Sequence, residues 1–114
     1  MNPPSEALVS RQLDAYNARD LDAFVAQYAE NVRVFRPPGL EPAIVGRRAM
    51  AEYYARHRFS LPGLHAEVLN RMVLGNKVVD HERIHGVRAA PFETVAVYEI
   101  VDGLISVVWF FSAE

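Results

Sequence analysis

From Leu64 to the end, the chain is built as paired strands. Apolar and polar residues alternate there, and two dipeptides interrupt the alternation at strand spacing: Gly75–Asn76 and Asp102–Gly103. Two-residue hairpin loops need positive φ at their central positions, which Gly, Asn and Asp tolerate best. The segments 64–74, 77–87, 92–101 and 104–111 therefore read as four strands, and "RAAP" (88–91) connects the second to the third. Short loops of this kind permit only antiparallel neighbours.

The front of the chain has a different period. Val9, Leu13 and Tyr16 share a helical stripe with Gln12, and Ser5 is placed to cap it. Asp20 is an N-cap signal for a second stripe of Leu21, Phe24, Val25 and Tyr28. "NVRVF" (31–35) alternates as a short strand, and "RPPGLEP" (36–42) cannot extend it, because proline has no ladder donor. A third helix follows Gly46, with Met50, Tyr53, Tyr54 and His57 on one side. Helices first and a meander afterwards predict an α+β fold, with three N-terminal helices packed in the concave face of a strongly curved antiparallel sheet. A sandwich or barrel with detached helices would leave those stripes uncovered. The reading is one domain over 1–114, with 1–5 as a flexible tail.

Composition narrows the partners. Net charge is −2, no basic cluster occurs and no apolar run spans a bilayer, so neither nucleic acid nor membrane is expected. The absence of cysteine excludes a disulfide scaffold and a thiolate nucleophile or metal site. No leader pattern opens the chain, and a cytoplasmic location is expected. No cofactor motif is found.

The hairpin loops also predict register. Counting back from Gly75–Asn76 pairs Arg71 with Asp80, Leu69 with Glu82 and Glu67 with Ile84. Counting from Asp102–Gly103 pairs Glu99 with Ser106, Val97 with Val108 and Val95 with Phe110. Polarity alone does not say which face of each hairpin is concave.

The stretches "RQLDAYNARDLDAFVAQYAENVRVF", "GRRAMAEYYARH" and "YEIVDGLISVVWFF" resemble the SnoaL-like branch of the nuclear transport factor 2-like superfamily. That superfamily includes ketosteroid isomerase, polyketide cyclases, scytalone dehydratase and limonene epoxide hydrolase. The resemblance covers nearly the whole chain and implies a cone: a bent sheet closing over three helices around an apolar pocket for a small hydrophobic molecule. It also turns Leu69, Arg71, Val78, Asp80, Glu82, Ile84, Val95, Val97, Glu99, Val108 and Phe110 inward. A homodimer through the outer sheet face is implied, on a patch of Tyr98, Ile105, Val107, Trp109 and Phe111. The isomerase's own mechanism is not implied. Arg36, Gln12 and Val97 stand where that enzyme has its base and its two oxyanion-hole groups, and only the supporting tyrosines persist, as Tyr28 and Tyr54.

Two carboxylates two residues apart on one strand face lie about 6.5–7 Å apart. Inside an apolar cone, desolvation and mutual repulsion raise at least one pKa toward neutrality. Asp80 and Glu82 are accordingly the candidate proton carriers. Gln12, Tyr28, Arg36, Tyr54, His57, Leu69, Arg71, Val97, Glu99, Val108 and Phe110 are the candidate substrate contacts. The alternative is an inert buried network in which Arg71 pairs Asp80 and Arg36 pairs Glu82. His81 and His85 share a face with no evident third ligand, so no metal is expected. Three classes stay open: a cofactor-independent isomerase, cyclase or lyase; a ligand-binding module; and a dimeric structural module.

Overall fold

A computed structural model describes residues 4–113. Three helices, α1 (Pro4–Ala18), α2 (Leu21–Val25) and α3 (Arg47–His57), pack against one six-stranded sheet. Its strands are β1 (Tyr28–Phe35), β2 (Ile44–Val45), β3 (His65–Leu74), β4 (Lys77–His85), β5 (Phe92–Val101) and β6 (Leu104–Ser112), in the order β2-β1-β6-β5-β4-β3. All neighbours are antiparallel except β1 and β6. The expected α+β architecture is present, with the helices covering one face of the curved sheet.

The helices are held down by polar ties as well as by burial. Asn17 at the end of α1 acts as a strand partner for Ala66, donating to its carbonyl at 3.0 Å and accepting from its N–H at 2.8 Å. Ser5 does not cap α1. It lies inside the helix, which begins at Pro4, and its hydroxyl donates to the Gly75 carbonyl at 2.9 Å. The tail expected over 1–5 is thus helical from Pro4, and its first three residues lie outside the described residues. Asp20 caps α2 as expected, accepting from the Ala23 N–H. Tyr28 is not on that helix, as its stripe had suggested; it starts β1, where the Arg47 guanidinium grips its carbonyl. Beneath these ties lies an apolar core that includes Val9, Phe24, Met50, Val34, Val78 and Val108, each no more than 1% exposed.

The predicted turns are right and the predicted register is half right. Near each turn the pairs run as counted: Leu74 with Lys77 through Arg71 with Asp80, and Val101 with Leu104. A bulge at Leu69 then moves β3 by one residue, so that Glu82 faces Val68 rather than Leu69, and Ile84 faces Ala66 rather than Glu67. A second bulge, at Ser106, pairs Glu99 with Val107, Tyr98 with Val108 and Ala96 with Phe110. A one-residue slip exchanges the faces of everything beyond it. Ala96 and Tyr98 are therefore buried under the helices, and Val95, Val97 and Glu99 belong to the outer side. Bulges also sharpen twist and bend, which is how this sheet comes to curve around the helices.

Candidate functional site

The sheet's concave face and the three helices leave a cavity of about 80 Å³. That is room for several waters or one small ring, since a single water needs about 10–15 Å³ on this scale. Its deep wall is formed by buried Gln12, Tyr16, Phe24, Tyr28, Tyr54, Glu82 and Tyr98, and its mouth by Arg36, Arg58, Phe92, Thr94 and Phe110.

The two central carboxylates of β4 have separate fates. Asp80 is wholly buried and held bidentately by Arg71, Nε to Oδ1 at 2.6 Å and Nη2 to Oδ2 at 2.8 Å. Arg71 also donates to the Ser10 hydroxyl at 2.6 Å, which fixes the pair to α1. A planar fork matched to a carboxylate is the strongest neutralising contact a side chain can make. Asp80 does not reach the cavity surface.

Glu82, one step along the same face, is 4% exposed and lines the cavity. Among the described residues it has neither a hydrogen bond nor an ion pair. No fully sealed side-chain nitrogen or oxygen lacks a partner among those residues, so the Glu82 carboxyl oxygens open onto the cavity. Burial raises its pKa to about 8; repulsion from Asp80 adds to the rise and Arg71 opposes it.

Tyrosines surround this acid. The Tyr28 hydroxyl donates to Gln12 Oε1 at 2.9 Å, and Gln12 Nε2 donates to the Tyr98 hydroxyl at 3.3 Å. Tyr16 and Tyr54 line the cavity with hydroxyls that have no hydrogen-bond partner among the described residues. Burial, helped by neighbouring tyrosines and Glu82, lifts Tyr16, Tyr28 and Tyr98 well above the usual phenol range. Tyr54 is pushed up to about 12, again chiefly by burial, with Arg36 and Arg58 opposing. All four stay protonated at neutral pH and can donate. Phe24 packs against Tyr54 at 4.8 Å and Tyr28 at 5.1 Å between ring centres, which sets the angle of both phenols.

The sequence model of the SnoaL-like domain matches residues 9–108. The chain belongs to the SnoaL-like family. Solved structures show the same fold. A candidate ketosteroid isomerase from Kribbella flavida superposes with a TM-score of 0.85 at 27% identity, covering 97% of this chain and 78% of that one. A candidate polyketide cyclase from Sinorhizobium meliloti gives 0.78 at 21%, with 91% and 93% covered. A cystatin-fold protein from Novosphingobium aromaticivorans gives 0.75 at 24%, with 96% and 98% covered.

Within this SnoaL-like chain, Gln12, Tyr28, Arg36, Tyr54, Glu82 and Phe110 of the expected site residues meet at the cavity. Val108 is buried behind them in the core. Arg71 and Asp80 form the closed pair described above. Four expected contacts lie elsewhere. Leu69 is the bulge residue, Val97 points outward beyond the second bulge, and Glu99 pairs with Lys77 at 3.1 Å. His57 sits on the exposed side of α3 against Tyr53. The proposed outer patch changes for the same reason: Tyr98 and Ile105 are core residues and Val107 is 2% exposed, which leaves Trp109 and Phe111. His81 and His85 face outward and contact Glu93 and Glu67. Among the described residues no three His, Asp or Glu side chains converge as metal ligands, and no helix is long and apolar enough to cross a membrane.

Sequence reasoning missed Tyr16, Tyr98 and Arg58. From the sequence Tyr16 reads only as part of the first helical stripe, and Tyr98 as a residue of the outer face. Arg58 follows the last turn of α3, where a basic residue is expected for the helix dipole alone.

Proposed function

We propose that this SnoaL-like protein is a cofactor-independent proton-transfer enzyme, of isomerase, cyclase or lyase type, acting on a small, largely apolar carbonyl compound, with Glu82 as the proton carrier. One observation carries this reading: Asp80 is neutralised by Arg71, while Glu82 faces the cavity with no counter-ion among the described residues. The inert network considered from the sequence would have paired Glu82 with Arg36. Arg36 instead lies over the rings of Phe110 and Tyr53, at 5.1 and 5.9 Å.

A carboxyl with a pKa of about 8 is partly ionised near neutrality, so it can both take and return a proton. In the proposed step, ionised Glu82 removes a proton from the carbon beside the carbonyl. The C–H electron pair becomes a C=C bond to the carbonyl carbon, and the C=O π pair moves onto the oxygen. The Tyr16 and Tyr54 hydroxyls are the available donors to that oxygen. Protonated Glu82 then returns the proton to the same or a neighbouring carbon. Phe24, Ile84 and Phe110 supply apolar walls. The candidate names of the Kribbella flavida and Sinorhizobium meliloti relatives are in keeping with carbonyl chemistry of this sort.

The test is solvent deuterium exchange into cyclohexanone and 2-cyclohexenone, followed by proton NMR. The wild-type protein accelerates exchange over buffer, and Glu82→Gln lowers the rate at least about 100-fold, the scale of a lost general base. No acceleration by the wild type, or full activity in Glu82→Gln, contradicts the proposal.

The homodimer also stands as a proposal. It rests on Trp109, stacked on Phe35 at 6.1 Å between ring centres, and on Phe111, 42% exposed beside it. Equilibrium sedimentation checks it: a dimer that dissociates on Trp109→Glu is expected, and a monomeric wild type contradicts it.

A further inference from the structure

The cavity mouth is basic in a chain whose net charge is −2. Two of its residues, Arg36 and Arg58, carry guanidinium groups. Arg36 follows the end of β1, and Arg58 follows the end of α3. Both lie over the same ring, Tyr53, at 5.9 and 5.6 Å from its centre. The two charges are therefore no farther apart than the sum of those distances. Arg36 also covers Phe110, which lines the cavity.

Among the described residues neither has an acidic partner. The ion pairs there use other cations, among them Arg48, Arg71, Lys77, His81, Arg83 and His85. Arg58 donates one bond, to the His57 carbonyl at 3.0 Å, and Arg36 is exposed. A guanidinium resting on an aromatic face keeps its in-plane N–H groups free, and those are the groups that recognise a carboxylate. The ring contacts also limit how far each head can wander, so less freedom is lost when an anion arrives.

The inner half of the cavity argues the other way about charge. Ionised Glu82 repels a carboxylate placed there, and Phe24, Ile84 and Phe110 give apolar walls. A ligand that satisfies both halves has an uncharged ring for the interior and an acid group at the edge.

We propose that Arg36 and Arg58 form a carboxylate-binding clamp at the mouth, and that the natural substrate is a small cyclic keto acid whose carboxylate docks there while its ring enters toward Glu82. This rests on the reading of the Glu82 cavity as the substrate site. It adds the substrate class and two binding residues.

The experiment compares 3-oxocyclohexane-1-carboxylate with its methyl ester, which has the same ring and no charge. Affinities are read by NMR titration and exchange rates by deuterium incorporation, for the wild type, Arg36→Gln, Arg58→Gln, the double variant and Glu82→Gln. The acid binds the wild type at least tenfold more tightly than the ester, and added salt narrows the gap. Each single Gln variant reduces the preference and the double variant abolishes it. Arg36→Lys and Arg58→Lys keep the charge without the fork and retain part of it. Glu82→Gln keeps the preference for the acid while losing exchange, which separates the clamp from the proton carrier. Equal affinity for acid and ester overturns the clamp, and if exchange persists it leaves the role of Glu82 standing. Binding of neither compound overturns it as well. A preference for the acid that survives the double variant removes both arginines from the assignment.

Discussion

Replacing Glu82 by Gln should change the pH dependence of stability, and the sign follows from the structure. In the folded protein the Glu82 carboxyl has a pKa of about 8, against 4.5 for the free group. Between those values the folded chain holds a proton that the unfolded chain has released. Stability must therefore fall as pH rises through that window, because the unfolded state binds fewer protons. The slope approaches about 1.4 kcal/mol per pH unit for one full proton, at most, near the middle of the window. Glutamine has nearly the same shape and no proton to lose, so this contribution to the slope vanishes in the variant. The measurement is urea unfolding of both proteins at pH 5.5, 6.5, 7.5 and 8.5, with the slopes on urea checked for equality. All other titrating groups are common to the two chains and cancel in the difference. Glu82→Gln should gain on the wild type by about 1 kcal/mol per unit from pH 5.5 to 7.5 and level off above pH 8. A stability difference that stays constant from pH 5.5 to 8.5 refutes the reasoning, since it would mean that Glu82 is ionised throughout.

Other residues give sharper tests of particular contacts. Arg71→Met leaves Asp80 buried with its fork partner gone and should cost about 3–5 kcal/mol in urea unfolding, whereas adding Asp80→Leu to it should recover most of that loss. Gly86 has φ +84°, and a Cβ there would stand 2.2 Å from the Gly63 backbone, so Gly86→Ala should lower the melting temperature clearly more than Gly75→Ala, where φ is +58° and the space is open. Tyr16→Phe and Tyr54→Phe remove hydroxyls that have no partner among the described residues; each should slow deuterium exchange about 10-fold or more and shift the melting temperature little.

How much of this was visible in the sequence differs from element to element. The four long strands and their turns were legible because Gly75–Asn76 and Asp102–Gly103 are demanded by turn geometry and flanked by period-two sequence. Glu82 was legible from two signals: β4 runs without a bulge from its turn to that residue, so parity puts it beside Asp80, and the family resemblance turned that face inward. Leu69 and Ser106, the bulge residues, resemble any other strand residue. Nothing in their chemistry announces an extra position, and each reversed the face of what lies beyond it. That is why Tyr98 was expected outside and Val97 inside. Tyr28 continued a helical stripe through a turn that ends α2 after five residues. Arg58 could not be placed because its position depends on where the chain goes after α3, which local pattern does not encode.

The central claim is that Glu82 is a neutral-range acid facing an open cavity, and the carboxyl carbon of Glu82 reports this directly. In protein labelled with ¹³C-glutamate, its NMR shift should titrate with a midpoint about 8, and the assignment is fixed by the loss of that signal in Glu82→Gln. A midpoint in the ordinary carboxylate range, near 4.5, would show a solvated or paired group and would contradict the account.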